Sequence, residues 1–255
     1  MKEIKYIYED EDILVCHKPA GIATEGARAY NMDVVSAARN YLSRKNKDKK
    51  ATGKPAYVVT VHRLDQPVEG VLILAKTKKA ATDISAQIKN RTTQKYYYAL
   101  CHGVIEENEG CLENYLARTE DGLARVVSEE EKNNCKDNCI TGDNGEKIRI
   151  IAGDIKKAKL NYEVVARGEE ETLLRIKLIT GRFHQIRVQL ANIGHPILGD
   201  NKYPTEASKA YSEARGINSV CLVSYRFELK HPSTKKRMEF EIVPDNTFIR
   251  RYLEV

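Results

Sequence analysis

The sequence predicts an α+β fold, in which helices flank a mixed, mainly antiparallel β-sheet, and three observations support it. Apolar runs of strand length recur between turn-forming residues, as in GVLILA at 70–75. Two such runs, 160–167 and 172–180, are separated by a short polar turn and predict a hairpin. Only a few segments carry apolar residues at helical spacing. A chain of 255 residues with 42% hydrophobic content can bury a sizeable core in one large domain or two small ones. Because no clear linker interrupts the pattern of strands and helices, we expect a single domain over residues 1–255.

The first hundred residues predict five strands and two helices. A helix at 31–44 follows a Pro/Gly turn, and Asn31 or Asp33 is expected to be its N-cap. Thr77 is expected to cap the second helix, which has apolar residues on one face. The expected strands are 4–8, 13–17, 57–61, 70–75 and 95–101.

The rest of the chain predicts one helix and two strand pairs after a poorly periodic stretch. Residues 108–146 are polar and acidic, and we expect a long insertion there that contains strands without a clear position in the sequence. After the hairpin, a helix is expected at 182–193, closed by Gly194. A last pair of strands is expected at 220–229 and 237–243.

The charges are unevenly distributed along a mildly basic chain of formal net charge +6. Basic residues concentrate in 44–54 and 76–95, whereas 106–131 is acidic. A polarised chain of this kind can present one face to phosphates, although ordinary solvated surface is the commoner explanation of a charge run. No glycine-rich fingerprint follows a strand, so nothing supports a dinucleotide or ATP site.

The six cysteines are scattered, and only Cys135 and Cys139 lie close together, which is too few ligands for a structural zinc site. Free thiols in a reducing cytosol are the simplest interpretation. The charged N-terminus has no apolar signal core, and no apolar run approaches the roughly 20 residues of a membrane helix. The sequence therefore predicts a soluble, cytoplasmic protein.

One candidate site is VHRLDQPVEGVLILAK at 61–76, where charged side chains stand beside an apolar run. Asp65 follows a predicted strand and precedes Gln66-Pro67, so it is either an ordinary turn residue or a site residue. An ionised, poorly hydrated carboxylate held by an arginine can act as a nucleophile or a base. Arg187 and Arg63 are the candidate cations.

The second candidate site is RFHQIRVQL at 182–190. Arg182, His184 and Arg187 fall in the first turns of the predicted helix, where the helix dipole disfavours cations by a few tenths to about 1 kcal/mol each. They either meet an anion there or cover apolar surface with their stems. Tyr97, in a predicted strand, is either a core residue or a phenol that stacks on a planar base.

Taken in order, the motifs of these segments form a specific set. They are HRLD at 62–65 with Gly70, K-x-Y-x-A at 95–99, TGRFHQIRVQL at 180–190 and GHPILGD at 194–200, and two outer motifs accompany them, ILVCHKPAGI at 13–22 and HP at 231–232. The set resembles the RluA-like family of RNA pseudouridine synthases, and the resemblance extends from residue 13 to residue 244 of the chain.

The resemblance implies the pseudouridine synthase fold, with the active site in a central cleft, and an isomerase that converts uridine in rRNA or tRNA to pseudouridine without metal or cofactor. The target base would be flipped from its stack. Asp65 would be the nucleophile, Arg187 its ion-pair partner and Tyr97 the residue that stacks on uracil, while Arg63 would fill the gap left by the base. Three further residues would shape the pocket or contact phosphate: His62, Arg182 and His184. The expected partner is structured RNA, bound by a monomer.

The chain departs from the family pattern in two places. Val68 and Glu69 stand where the family has a Thr-Ser pair, which puts an acid near the proposed RNA surface. The motifs begin close to residue 1, so we expect no N-terminal S4 domain, and the basic segments would supply phosphate contacts instead. Two alternatives stay open: a catalytically inactive RNA-binding module, and a metal-dependent hydrolase that uses His62, Asp65 and His184 but lacks a second carboxylate at ligand spacing.

Overall fold

The computed structural model describes residues 3–26, 32–45, 56–135, 137–141 and 145–254. Within these ranges the chain forms thirteen strands and six helices. The strands are β1 (Lys5–Glu9), β2 (Ile13–Lys18), β3 (Val59–Thr60), β4 (Glu69–Ala75), β5 (Gln94–His102), β6 (Glu109–Arg118), β7 (Ala124–Val127), β8 (Cys139–Thr141), β9 (Lys147–Arg149), β10 (Lys156–Arg167), β11 (Glu171–Leu178), β12 (Leu222–Lys230) and β13 (Arg237–Glu241). The helices are α1 (Val34–Lys45), α2 (Lys78–Lys89), α3 (Glu129–Asn134), α4 (Gln185–Asn192), α5 (Glu206–Ala214) and α6 (Thr247–Arg250).

The predicted strands and helices are present with shifted ends, and two helix caps have the expected chemistry. Thr77 Oγ1 accepts a hydrogen bond from the Ala80 N–H at 3.1 Å, which confirms Thr77 as the N-cap of α2. Asp33 Oδ1 accepts from the Ser36 N–H at 2.7 Å at the start of α1. The alternative cap, Asn31, lies outside the described residues. Helices α3, α5 and α6 are additional to the prediction.

The chain divides into two compact units. The first unit comprises Met1–Tyr96 and Val223–Arg250, and the second comprises Tyr97–Leu222 and Arg251–Val255. Both units combine strands with helices, and antiparallel pairing predominates, so the α+β prediction is confirmed. The expectation of a single catalytic domain stays a prediction. None of the helices in the described ranges has the length and apolar character to cross a membrane.

Strands β2 and β4 form the buried centre of the first unit. β4 pairs antiparallel with β2 and β3 and parallel with β12, while β1 pairs with β2 and β13 with β12. Every residue of β2 and β4 is buried. Strands with no face toward water appear in a sequence as continuous apolar runs. Two charged residues, Lys18 and Glu69, are nevertheless buried in them and need hydrogen-bond partners.

The second unit is built on strands in the order β5-β11-β10-β6-β7. β10 and β11 pair antiparallel, with Leu160 opposite Leu178, which confirms the predicted hairpin. The polar stretch 108–146 contains β6, β7, α3 and β8, and β8 pairs with β9 in a separate two-stranded ladder. Helix α4 packs on β6 and β7.

Candidate functional site

The turn that carries Asp65 lies between β3 and β4 in the first unit. The Val68 N–H donates to the Asp65 carbonyl at 3.0 Å and closes the turn. The Thr24 hydroxyl donates to the Leu64 carbonyl at 2.8 Å and accepts from the Leu64 N–H at 3.2 Å. The backbone on both sides of the half-buried Asp65 side chain is therefore fixed by hydrogen bonds.

Lys18 ties the segment after β2 to the same turn. Its side chain is fully buried, and its ammonium donates to the carbonyls of Pro19, Ile22 and Gln66 at 3.1, 2.7 and 3.1 Å. Burial lowers the pKa of Lys18 to about 8, against the opposing effect of nearby acidic groups that include Asp65. With three carbonyl partners, Lys18 holds the residue that follows Asp65 in place.

His62 is bonded to β4. The Ile73 N–H donates to His62 Nε2 at 3.1 Å, and the imidazole packs on Phe227 with ring centroids 4.7 Å apart. Burial and the charge of Lys95 hold the pKa of His62 well below its usual value of 6.5. Because Nε2 accepts a hydrogen bond, we assign the neutral tautomer with its proton on Nδ1. The expected role of His62 in RNA binding stays a prediction.

Arg63 is the exposed cation of the HRLD motif. Its side chain is 71% exposed, and its Nη1 lies 3.7 Å from Glu25 Oε1. An exposed pair at this distance contributes little to stability. The Arg63 guanidinium is thus accessible to a ligand, and its place in the gap left by a flipped base stays a prediction.

Glu69 stands where a Thr-Ser pair is expected, and its carboxylate is bonded within the first unit. Its side chain is 6% exposed. Oε1 lies 2.8 Å from His17 Nε2 and accepts the Asp245 N–H at 2.6 Å, and Oε2 accepts the Asn246 N–H at 3.1 Å. Glu69 therefore holds β4 to the chain before α6. That Glu69 lies near an RNA surface stays a prediction.

One group of His and carboxylate atoms in the described ranges is close enough to share a metal ion. Its members are His17, Glu69 and Asp245, with ligand atoms within 4.8 Å of one another. The hydrogen bonds of Glu69 account for this closeness. The hydrolase alternative would use His62, whose Nε2 already accepts the Ile73 N–H.

In the second unit, the helix predicted from residue 182 begins later, at Gln185. Gln185 Oε1 accepts from the Arg182 N–H at 3.1 Å and from the Thr180 hydroxyl at 2.8 Å. His184 is the N-cap in the left-handed conformation, with φ of 51°. These bonds hold a turn before the helix, so the prediction that Arg182 and His184 lie in the first helical turns is wrong, and Arg187 alone of the three is helical.

Arg187 forms a buried ion pair with Asp200. Its Nε donates to Asp200 Oδ2 at 2.6 Å and its Nη2 to Oδ1 at 2.7 Å, and the two side chains are 2% and 1% exposed. This bidentate contact fixes the plane of the guanidinium and uses two of its five N–H groups. The pairing of Arg187 with Asp65 stays a prediction. Sequence reasoning missed Asp200, and its position at the end of GHPILGD was the available signal.

Tyr203 connects His184 to the neighbouring strand. His184 Nδ1 lies 2.7 Å from the Tyr203 hydroxyl, which also accepts the Ala124 N–H at 2.8 Å. The Phe183 ring stacks on the His184 ring at 3.8 Å between centroids. The Arg187 guanidinium lies 5.5 Å from the Tyr203 ring centre. Tyr203 thereby links β7 to the start of α4.

The two other predicted site residues of the second unit are Tyr97 and Arg182. Tyr97 belongs to β5 and is 7% exposed, which fits a core residue and a stacking residue equally. Arg182 is half-buried, and its Nε donates to the Lys157 carbonyl at 3.1 Å. Their roles stay predictions.

A groove of about 1010 Å³ lies in the second unit between β7, α4 and residues 202–205. Its described lining carries both acids and bases, among them Glu129, Arg125 and Lys202, and it includes none of the predicted site residues. Tyr203 lines the groove and contacts His184 and Arg187, so the groove adjoins these two candidate site residues without being lined by them.

The basic segments are only partly described. In 44–54, the residues from 46 onward lie outside the described ranges. In 76–95, Lys76 pairs with Glu9 at 2.9 Å. The exposed cations of this segment are Lys78, Lys79, Lys89 and Arg91.

Comparison with protein families gives one family match. The model described as RNA pseudouridylate synthase matches residues 12–192. The chain is 32% identical over 249 residues to an uncharacterised RNA pseudouridine synthase of Aquifex aeolicus, covering 96% of this chain and 71% of the relative. It is 28% identical to ribosomal large subunit pseudouridine synthase C of Vibrio vulnificus, covering 91% of this chain and 63% of the length of that relative.

Two solved structures share the fold. Human RNA pseudouridylate synthase domain containing 4 superposes with a TM-score of 0.71 and 21% identity, covering 98% of this chain and 92% of that one. Human RNA pseudouridylate synthase domain containing 1 gives a TM-score of 0.64 with 20% identity, covering 95% and 84%. At these identities the two structures support the fold alone.

Proposed function

The chain belongs to the RNA pseudouridylate synthase family, and from this membership we propose that it is an isomerase that converts specific uridines of ribosomal or transfer RNA to pseudouridine. The observation that carries the proposal is the family match over residues 12–192, a range that contains all seven predicted site residues. The relative from Vibrio vulnificus is named for the large ribosomal subunit, which favours ribosomal RNA as the first substrate to test.

In the proposed reaction, the carboxylate of Asp65 is the nucleophile that leads to cleavage of the glycosidic bond of a flipped-out uridine. The Asp65 oxygen bonds to C1′ as N1 leaves, the detached uracil rotates, and its C5 bonds to C1′ as the Asp65 carboxylate leaves. C5 then loses its proton and N1 gains one, so that the product is an isomer of the substrate. Arg187 pairs with Asp65, and Tyr97 stacks on the uracil and assists removal of the C5 proton. Exclusion of water protects the sugar during the rotation. The fixed backbone around Asp65 and the orientation of Arg187 by Asp200 support these roles.

Arg63 would occupy the space left by the flipped base, and its 71% exposure supports a role in contact with RNA. Three residues would shape the pocket or contact phosphate: His62, Arg182 and His184. The proposed enzyme needs no metal or cofactor and acts as a monomer. The cytoplasm is its proposed compartment, in keeping with six cysteines that are all free thiols.

Mapping of pseudouridine in RNA from cells that lack the protein tests the proposal. Chemical derivatisation of pseudouridine is required because the two isomers have the same mass. We expect at least one ribosomal or transfer RNA site to lose its modification, and the purified protein to restore it on a transcript. Unchanged maps, together with transcripts that the purified protein leaves unmodified, would refute the proposed activity.

A further inference from the structure

Lys95 is a half-buried lysine that has no role in the proposed reaction. Its Nζ lies 5.6 Å from the centre of the Phe227 ring. In the parts of the chain that the structure describes, Lys95 has no hydrogen-bond acceptor and no carboxylate within 4.0 Å. The other two buried or half-buried lysines in the described part of the first unit are satisfied, since Lys18 donates to three carbonyls and Lys76 pairs with Glu9. Lys95 thus carries a charge that no residue of the described ranges neutralises by an ion pair or a hydrogen bond.

His62, the residue whose pKa the charge of Lys95 affects, does not compensate that charge. His62 is close enough that the charge of Lys95 lowers its pKa. A neutral His62 cannot compensate the ammonium, and the Ile73 N–H occupies its Nε2, so its remaining polar group is a donor, Nδ1–H. Burial lowers the pKa of Lys95 to about 8, and a bound anion would favour the charged form.

The position of Lys95 on β5 relates it to the predicted uracil site. Alternate residues of a strand face the same side, so Lys95 and Tyr97 share one face of β5, about 7 Å apart along the strand. We propose that Lys95 binds a backbone phosphate of the substrate RNA, next to the uridine whose base stacks on Tyr97. A lysine binds phosphate as a point charge. This inference rests on the proposed function.

The test compares Lys95→Met with the wild-type protein on a ribosomal RNA transcript that the wild type modifies. Methionine keeps the length and the packing on Phe227 and removes the charge. Lys95→Arg keeps the charge, and Lys236→Met removes an exposed charge from the turn before β13 as a matched control. Filter binding at several salt concentrations and the thermal unfolding midpoint are measured for each variant.

We expect Lys95→Met to weaken RNA binding by about 10- to 100-fold, the range for loss of a hydrogen bond to a charged group. The slope of log affinity against log salt should fall by about 0.7 to 0.9. Lys95→Arg should keep the slope, and Lys236→Met should match the wild type. The unfolding midpoint of Lys95→Met should not fall, because an unneutralised charge is removed.

RNA affinity and salt slope unchanged in Lys95→Met would overturn the inference while leaving the proposed function in place. A lower unfolding midpoint in Lys95→Met would also overturn it, since Lys95 would then be a structural residue. If the wild-type protein modifies no rRNA or tRNA transcript, the proposed function fails and this inference fails with it.

Discussion

Replacing Asp200 with asparagine removes the negative charge from the buried ion pair with Arg187 while keeping the size of the side chain. The two side chains are 2% and 1% exposed, so solvent screens the pair little. Asparagine can accept one of the two hydrogen bonds, at 2.6 and 2.7 Å, but no longer offers the buried Arg187 guanidinium the negative charge of Asp200. Breaking a buried pair in this way costs about 3–5 kcal/mol, and we expect Asp200→Asn to lie near the lower end.

Urea unfolding followed by circular dichroism measures the change, read from the midpoint and the slope of each transition. The control is Glu239→Gln, which breaks the exposed pair of Arg226 and Glu239 at 2.8 Å and should cost less than about 1 kcal/mol. The double variant Arg187→Met, Asp200→Leu removes both charges and should recover part of the loss, while the Lys202 N–H loses its Asp200 acceptor. A loss below about 1 kcal/mol in Asp200→Asn, or no recovery in the double variant, would refute the reasoning.

Four further predictions follow from the contacts. Gly70→Ala should cost more stability than Gly122→Ala, because both have positive φ but only the Cβ added at Gly70 would meet Ser224, at 2.5 Å; equal urea midpoints would argue against this clash. Glu69→Gln should leave a backbone N–H before α6 unsatisfied, cost about 1–3 kcal/mol and speed amide exchange in α6; unchanged exchange would show that the contact does not fasten α6. Thr77→Ala should cost about 1 kcal/mol through loss of the α2 cap, and no change in thermal midpoint would contradict it. The pKa of Lys95, about 8 without RNA, should rise when RNA binds; a side-chain NMR titration that shows no rise would speak against the phosphate contact.

Local patterns in the sequence were sufficient to predict much of the fold. The continuous apolar run of β4 follows from burial on both faces. The cap of α2 follows from a threonine before an apolar helical pattern, and the β10–β11 hairpin from two strand patterns around a polar turn. These features depend on neighbours within a few residues, which a sequence displays directly.

Such local patterns did not predict three features: the start of α4, the Arg187–Asp200 ion pair and the hydrogen bonds of Glu69. Apolar spacing continues into the turn before α4, so periodicity did not reveal that Gln185 bonds back to Arg182. Arg187 finds Asp200 13 residues away, and Glu69 binds backbone 176 and 177 residues away. Such partners are set by tertiary packing, and the family resemblance, which supplied roles for seven residues, did not include them.

The central claim is that Asp65 is the nucleophile, and one measurement tests it most directly. Wild-type protein and Asp65→Asn are incubated with the same ribosomal RNA transcript, and pseudouridine is quantified at the modified site while RNA affinity is measured in parallel. The account predicts that Asp65→Asn forms no pseudouridine and still binds the transcript. Pseudouridine formation by Asp65→Asn at the wild-type rate would contradict it.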